Sequence, residues 1–165
     1  KKLKNVSRFH LKEKDEKYLL NELKSYSKNY LFKKINDDDI KNLKKAIPYF
    51  KGKFSSYKEI LDNCNFFLQK DPIKLTNKEK IILDTHNLKL VDMFTIEVSS
   101  ISWDIDNLSN CLKNFVSREN IKFVEIAQPL RIMLTGVSNS PSIDFVMSIL
   151  GKNETLKRLK KFQNL

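Results

Sequence analysis

Ala127-Gln128-Pro129-Leu130-Arg131-Ile132-Met133-Leu134-Thr135-Gly136 is the stretch of this chain whose periodicity and punctuation say most about the fold. Phe123, Ala127, Leu130 and Leu134 recur at helical spacing and predict a buried stripe. Gly136 supplies the left-handed cap that ends such a helix. The stripe turns Gln128 and Arg131, three apart, onto a second shared face. Pro129 stands inside the pattern; unless it lies in the first turn, it has no N–H to donate and frees the carbonyl of Glu125. An irregular helix beside an arginine suits a binding surface. Periodicity by itself favours the plainer alternative, a kinked core helix with a solvated arginine.

Outward from this stretch the same spacing continues. Ser140-Pro141 reads as N-cap and first residue of the next helix, with Ile143, Val146, Met147 and Leu150 turned inward. Gly151 stops it, and a basic terminal helix follows. Upstream, Trp103 reads as core, and Trp103-Asp104 opens a helix with Ile105, Leu108, Leu112, Phe115 and Val116 inward, closed by residues 118–120. Thr76-Asn77-Lys78-Glu79 has the form of a capping box, starting a stretch that buries Leu90, Phe94 and Ile101 and breaks near Thr85-His86-Asn87. In the first half, a helix over residues 15–30 buries Leu19, Leu23, Tyr26 and Tyr30. A second, capped by Asn36 or Asp37, buries Ile40, Leu43, Ile47 and Phe50 and is bent or ended by Pro48. Ser56-Tyr57-Lys58-Glu59 is another capping box, opening a short helix through Leu61. Lys70-Asp71-Pro72 is the best linker candidate. The prediction is an all-α chain of two packed helical subdomains, residues 1–75 and 76–165.

Composition agrees with that class. In 165 residues, 41% hydrophobic and 31% charged, the chain is globular rather than disordered, and three glycines leave little punctuation for many tight turns. Net charge is +11, and residues 1–80 hold 21 of the 31 basic side chains against 11 acidic ones. Such an excess attracts a polyanion; charge alone fits equally well a lysine-rich surface that merely solvates its helices. Lys152, Lys157, Arg158, Lys160 and Lys161 crowd the last helix. No stretch approaches the ~20 apolar residues of a membrane span. Cys64 and Cys111 form no CxxC pair, so they frame neither a zinc site nor a disulfide scaffold and fit a reducing, cytoplasmic setting. The opening Lys1-Lys2-Leu3-Lys4, without methionine, fits an excised fragment.

Catalytic constellations are missing. Three scattered glycines cannot build a phosphate loop. His10 and His86 are isolated and read as surface or packing histidines. Asp37-Asp38-Asp39, at a helix start, complements the positive end of the helix better than it makes a metal site, and no metal is expected.

The run from Ala127 to Gly136, with Ser140-Pro141-Ser142-Ile143 and Leu150-Gly151-Lys152-Asn153-Glu154, resembles the C-terminal signature of bacterial glutamyl-tRNA synthetases. There the pattern Ala-Gln-Pro-Leu-Arg, Leu-Thr-Gly, Ser/Thr-Pro and Leu-Leu-Gly-Lys-Glu belongs to the anticodon-binding domain. Lys51-Gly52-Lys53-Phe54-Ser55-Ser56-Tyr57 is similar to that family's Arg-Pro-Arg-Phe-Asp-Thr-Leu segment. Likeness extends over most of residues 10–165 and is densest from Trp103 onward.

The resemblance implies a set of roles. Arg131 and Ser140 would meet the first anticodon base, with Gln128 on the face of Arg131, and Pro141 with Ile143 would wall the second. Lys53, or Lys51 if the short alignment shifts, would read the third. Ser142 stands where many relatives keep glycine, which crowds the approach. Lys51, Lys152, Lys157, Arg158, Lys160 and Lys161 are candidates for phosphate contacts. The whole would form a curved basic surface around the anticodon arm of glutamate tRNA, monomeric and independent of membranes. ATP and magnesium would be bound in the parent ligase, upstream of Lys1; none of the family's ATP-binding signatures, His-Ile-Gly-His or Lys-Met-Ser-Lys-Ser, occurs here, so this fragment holds no cofactor and should be inactive alone. A lysine where discriminating enzymes carry arginine implies an enzyme that also charges glutamine tRNA. The alternatives are a free-standing basic helical adaptor for an acidic protein partner and a module for anionic membrane surfaces.

Overall fold

The structure, a computed structural model, describes residues 2–31, 34–69 and 73–162, without the side chains of residues 2–4. The linker candidate Lys70-Asp71-Pro72 lies outside the described residues. Nine helices and no strand are found among them. The chain divides into two compact units, Lys1–Lys70 and Asp71–Leu165, five residues before the division expected from sequence.

The N-terminal unit holds α1 (Lys2–Glu13), α2 (Glu16–Tyr30), α3 (Asp37–Phe50) and α4 (Tyr57–Leu68). Helices α2, α3 and α4 pack on one another around Leu19, Leu23, Leu43, Ile47, Phe50, Ile60, Leu61 and Cys64. Asp15 caps α2 by accepting from the N–H groups of Lys17 and Tyr18. Asn36 and Asp39 form a reciprocal capping box on α3, at 2.8 and 3.1 Å, so the third aspartate of the acidic run serves the helix start. Ser56 caps α4, but Glu59 turns to the N–H and hydroxyl of Ser55, both at 2.8 Å. Pro48 stays inside α3, which ends two residues later. Helix α4 runs seven residues beyond Leu61, because Cys64, Phe66 and Phe67 continue its buried face.

Other parts of this unit also depart from expectation. Tyr30 is 69% exposed and stacks on half-buried Tyr26, since the last turn of α2 runs past its partners. Ile40 is half-buried rather than core. Helix α1 had no predicted counterpart: of its described side chains only Leu11 is buried, and Val6 and Phe9 stay exposed, so no stripe announces it.

The C-terminal unit holds α5 (Asn77–Asp84), α6 (Leu88–Ser99), α7 (Ile105–Arg118), α8 (Phe123–Thr135) and α9 (Ile143–Lys160). The expected break between α5 and α6 falls at residues 85–87, where Asn87 caps α6 and His86 Nδ1 donates to the Ile82 carbonyl at 2.6 Å. Helix α9 packs against α6, α7 and α8, and α5 packs against α8. Gly151 (φ 74°, ψ 167°) breaks α9 into two helical segments, as its position in the sequence predicts. The buried face of α6 is Val91, Phe94, Thr95 and Val98, with Leu90 and Ile101 only half-buried. Ile105 and Phe123, each the first residue of its helix, are 40% and 47% exposed. An end residue projects past the neighbouring helices, so the periodic stripe overreaches there. Trp103 is half-buried, and its Nε1 donates to the Met147 carbonyl at 3.1 Å, tying the start of α7 to α9.

Candidate nucleic-acid interface

Helix α8 is buried almost all round. Ile126, Ala127, Pro129, Leu130, Ile132, Met133 and Leu134 are all in the core, which identifies it as the central helix of its unit. What it leaves at the surface beyond its first two residues is narrow: Glu125, Gln128, Arg131 and Thr135, half-buried and three or four apart. The polar groups of α8 therefore share one window, and the apolar residues fix the helix that bears it. Pro129 is the seventh residue of α8, well past the first turn, so the Glu125 carbonyl lacks its helical donor.

Gly136 ends α8 in the left-handed conformation (φ 80°), its N–H bonded to the Ile132 carbonyl at 2.8 Å. A Cβ at this position would lie 2.9 Å from Cγ2 of Ile73. The turn is thus closed by its conformation and by a neighbouring methyl group. Thr135 holds the corner, its hydroxyl donating to the Arg131 carbonyl at 2.8 Å and accepting from the Val137 N–H at 3.3 Å. The connection of residues 136–142 then leads to α9.

Gln128 and Arg131 are brought to the same window but do different things. The Gln128 Nε2 donates to the Ser138 carbonyl at 3.1 Å, so its amide holds the connection in place. The Arg131 guanidinium has no hydrogen-bond or ion-pair partner among the described residues. Ser140 and Pro141 are half-buried on the connection. Ser140 is not the N-cap: its hydroxyl donates to the Pro141 carbonyl at 3.0 Å, and α9 starts at Ile143 with Ser142 as cap. The start moves because burial of Ile143, Phe145, Val146 and Met147 decides where helical geometry begins. Ile143 itself is 1% exposed. Its side chain points into the core, and of the pair expected to wall a base only Pro141 stands at the surface.

The basic candidates also separate. Lys152, Lys157, Lys160 and Lys161 are exposed, with Lys157 3.8 Å from Glu154. Arg158 is not available for phosphate. Its side chain is 12% exposed, Nη1 donates to the Leu134 carbonyl at 2.6 Å, and Nε pairs with Glu154 at 2.8 Å. It satisfies a carbonyl left open at the end of α8, a role a cation there performs well. In the N-terminal unit, Gly52 (φ 79°) turns the chain after α3, with half-buried Lys51 on one side and exposed Lys53 on the other. The Lys53 ammonium sits 3.2 Å from the centroid of the Tyr49 ring.

A connection of a different kind has no trace in the sequence. Glu79, on α5, is 6% exposed. It does not close the expected box on Thr76: the Thr76 side chain makes no bond to the helix backbone, and its hydroxyl donates to the Glu79 carboxylate instead. The other carboxylate oxygen accepts from the Ser138 hydroxyl at 3.3 Å. The Thr76 hydroxyl foremost, with the N–H groups of Glu79 and Ser138 and the Ser138 hydroxyl, lowers the pKa of Glu79 against the opposing effect of burial. The two cysteines are buried, and burial raises both thiol pKa values, with Glu97 adding to the effect at Cys111.

Comparison with known proteins follows the same lines. Residues 15–163 match the anticodon binding domain family. Glutamate–tRNA ligase 1 of Bartonella tribocorum is 34% identical over 116 residues, 70% of this chain and 24% of that protein. Glutamate–tRNA ligase 2 of Maricaulis maris is 32% identical over 163 residues, 96% of this chain and 34% of that protein. The chain therefore spans about a quarter to a third of the length of these curated relatives. Among solved structures, a glutamate–tRNA synthetase from Elizabethkingia anophelis superposes with a TM-score of 0.78 at 18% identity, covering 98% of this chain and 31% of that one. That likeness is one of fold. With the family matched over nearly its whole length, the chain belongs to the anticodon binding domain family.

Proposed function

We propose that this chain is the anticodon-binding region of a glutamate–tRNA ligase and that it receives the unpaired bases of a tRNA anticodon loop. The observation that carries the reading is Arg131: a half-buried arginine on a helix enclosed by core, with no hydrogen-bond or ion-pair partner among the described residues. A splayed loop base offers hydrogen-bond acceptors and a stacking face, which planar arginine donors and the ring of Pro141 can meet. Arg131, Ser140 and Pro141 take the first two bases, Gln128 orders the connection beside them, and Lys53 takes the third. Exposed lysines in both units contact phosphates and supply affinity and register.

The parent ligase joins glutamate to tRNA with ATP and magnesium held outside residues 1–165, and the isolated chain performs no ATP–pyrophosphate exchange. Lys53 offers a rotatable point charge where a planar fork would discriminate, and the parent therefore also charges glutamine tRNA. The deciding experiment titrates the chain with an anticodon stem-loop of glutamate tRNA and with the same stem carrying a scrambled loop. Tighter binding of the first is expected. Equal binding would overturn the reading and leave a basic domain with no preference for the loop.

A further inference from the structure

Glu79 lies 59 residues from Ser138 in sequence, yet its carboxylate accepts from the Ser138 hydroxyl. Ser138 is held from the other side as well, because its carbonyl accepts from Gln128 on α8. One residue of the connection is thus clamped between two helices, α5 and α8, which pack together. The segment entering α5 touches the same connection a second time, where the Ile73 methyl occupies the space a Cβ at position 136 would need.

Glu79 sits at the third position of its helix, where a capping box would turn its carboxylate back to the Thr76 N–H. Here the carboxylate receives the Thr76 hydroxyl and turns its other oxygen to the connection. At 6% exposure it is shielded from solvent competition, so its hydrogen bonds are stronger than they would be at the surface. We propose that Glu79 is a positioning residue for base recognition: by holding Ser138 it fixes the connection that carries Ser140 and Pro141 relative to Arg131. The proposal rests on the reading of this unit as the receiver of the anticodon loop. Glu79 touches no base. It acts by keeping the connection in one conformation before RNA arrives, so that binding does not have to order it.

The test uses the whole 165-residue chain with Glu79→Ala, Glu79→Gln and Ser138→Ala, the last removing the hydroxyl without touching the core. Amide exchange in the free protein reads the connection directly. In Glu79→Ala and Ser138→Ala, the amides of residues 137–140 and 142 should exchange about 10-fold faster while those of α7 keep their wild-type rates. Glu79→Gln keeps the size and one accepting oxygen, while its NH2 can donate to the second hydroxyl, and should restore most of the protection. With RNA, preference for the cognate loop over one changed at its first base should fall roughly 3- to 10-fold in the first two variants, with binding of a scrambled loop unchanged. Unaltered exchange at residues 137–140 and 142 would overturn the clamp whatever the RNA does. Faster exchange with unaltered base preference would overturn the positioning role. A wild-type chain without loop preference would instead defeat the functional reading, while the exchange data still judge the clamp.

Discussion

The two units differ in how they could engage an RNA. Residues 1–70 carry 18 basic against nine acidic side chains, and residues 71–165 carry 13 against 11. The N-terminal unit presents Lys53, exposed on a turn and resting on an aromatic ring. The C-terminal unit presents Arg131, half-buried on a helix enclosed by core, next to a connection held from two sides. Surplus charge raises affinity for any polyanion and is screened by salt, whereas discrimination between bases needs donors held in one place. The unit with less charge is the one whose candidate base-reading side chain stands on a helix enclosed by core.

The largest expected effect tests how tightly each unit holds its turn. Gly136→Ala should destabilise the C-terminal unit by about 2–3 kcal/mol, from left-handed strain of about 1–2 kcal/mol and the clash with Ile73. Gly52→Ala, at φ 79° but 3.4 Å from a flexible lysine stem, should cost only the strain, about 1–2 kcal/mol. Denaturant titrations of both variants give the comparison, and equal losses would mean that Ile73 yields freely.

Arg131→Ala should weaken cognate stem-loop binding by about 1–3 kcal/mol and relax base preference. It should leave thermal stability near wild type, because the guanidinium is unpartnered among the described residues. Retained affinity and preference would remove Arg131 from the site.

Arg158→Met should cost about 1–3 kcal/mol of stability, since the Leu134 carbonyl loses its donor in a half-buried setting. This separates a bracing cation from its neighbours in sequence, and equilibrium unfolding measures it.

For the parent ligase, preference for glutamate over glutamine tRNA through Lys53 should be small, about 1 kcal/mol. Lys53→Arg should widen it. Aminoacylation of both tRNAs measures this, and a wild-type preference above about a thousandfold, ~4 kcal/mol, would show that Lys53 is braced well enough to discriminate or is the wrong residue.

Smallest per residue is the effect of the exposed lysines. With about three to five phosphates contacted, log affinity should fall against log salt with a slope of about −2 to −4, and Lys160→Ala or Lys161→Ala should each reduce the slope by about 0.7. Their loss should weaken cognate and scrambled loops alike.

Much of this was legible in the residues themselves. Stripes at three and four spacing located α2, α3, α6, α7, α8 and α9, since a helix in a small domain must bury one face. Cap residues placed most starts to within a residue, because the open N–H groups of a first turn need nearby acceptors. Gly136 and Gly151 marked the ends because left-handed backbone strongly favours glycine there. The Gln128 and Arg131 face was legible for the same local reason.

Other features depend on what lies across space. Whether Tyr30, Ile105 and Phe123 were covered depended on where neighbouring helices end, which no local pattern encodes. The start of α9 moved from Ser140 to Ser142 because the burial of Ile143 and Phe145 outweighed a favourable Ser-Pro signal. Arg158 looked like its exposed neighbours until a carbonyl 24 residues away claimed it. The Glu79–Ser138 bond joins residues whose local sequence suggests a capping box and an unremarkable loop. Sequence by itself determined every helix except α1, most of their punctuation and the face that bears Arg131, all of which follow from interactions within a few residues. Tertiary structure alone decided which charges are free, which helix ends are covered and what holds the connection, because those depend on desolvation and on partners the chain brings together only by folding.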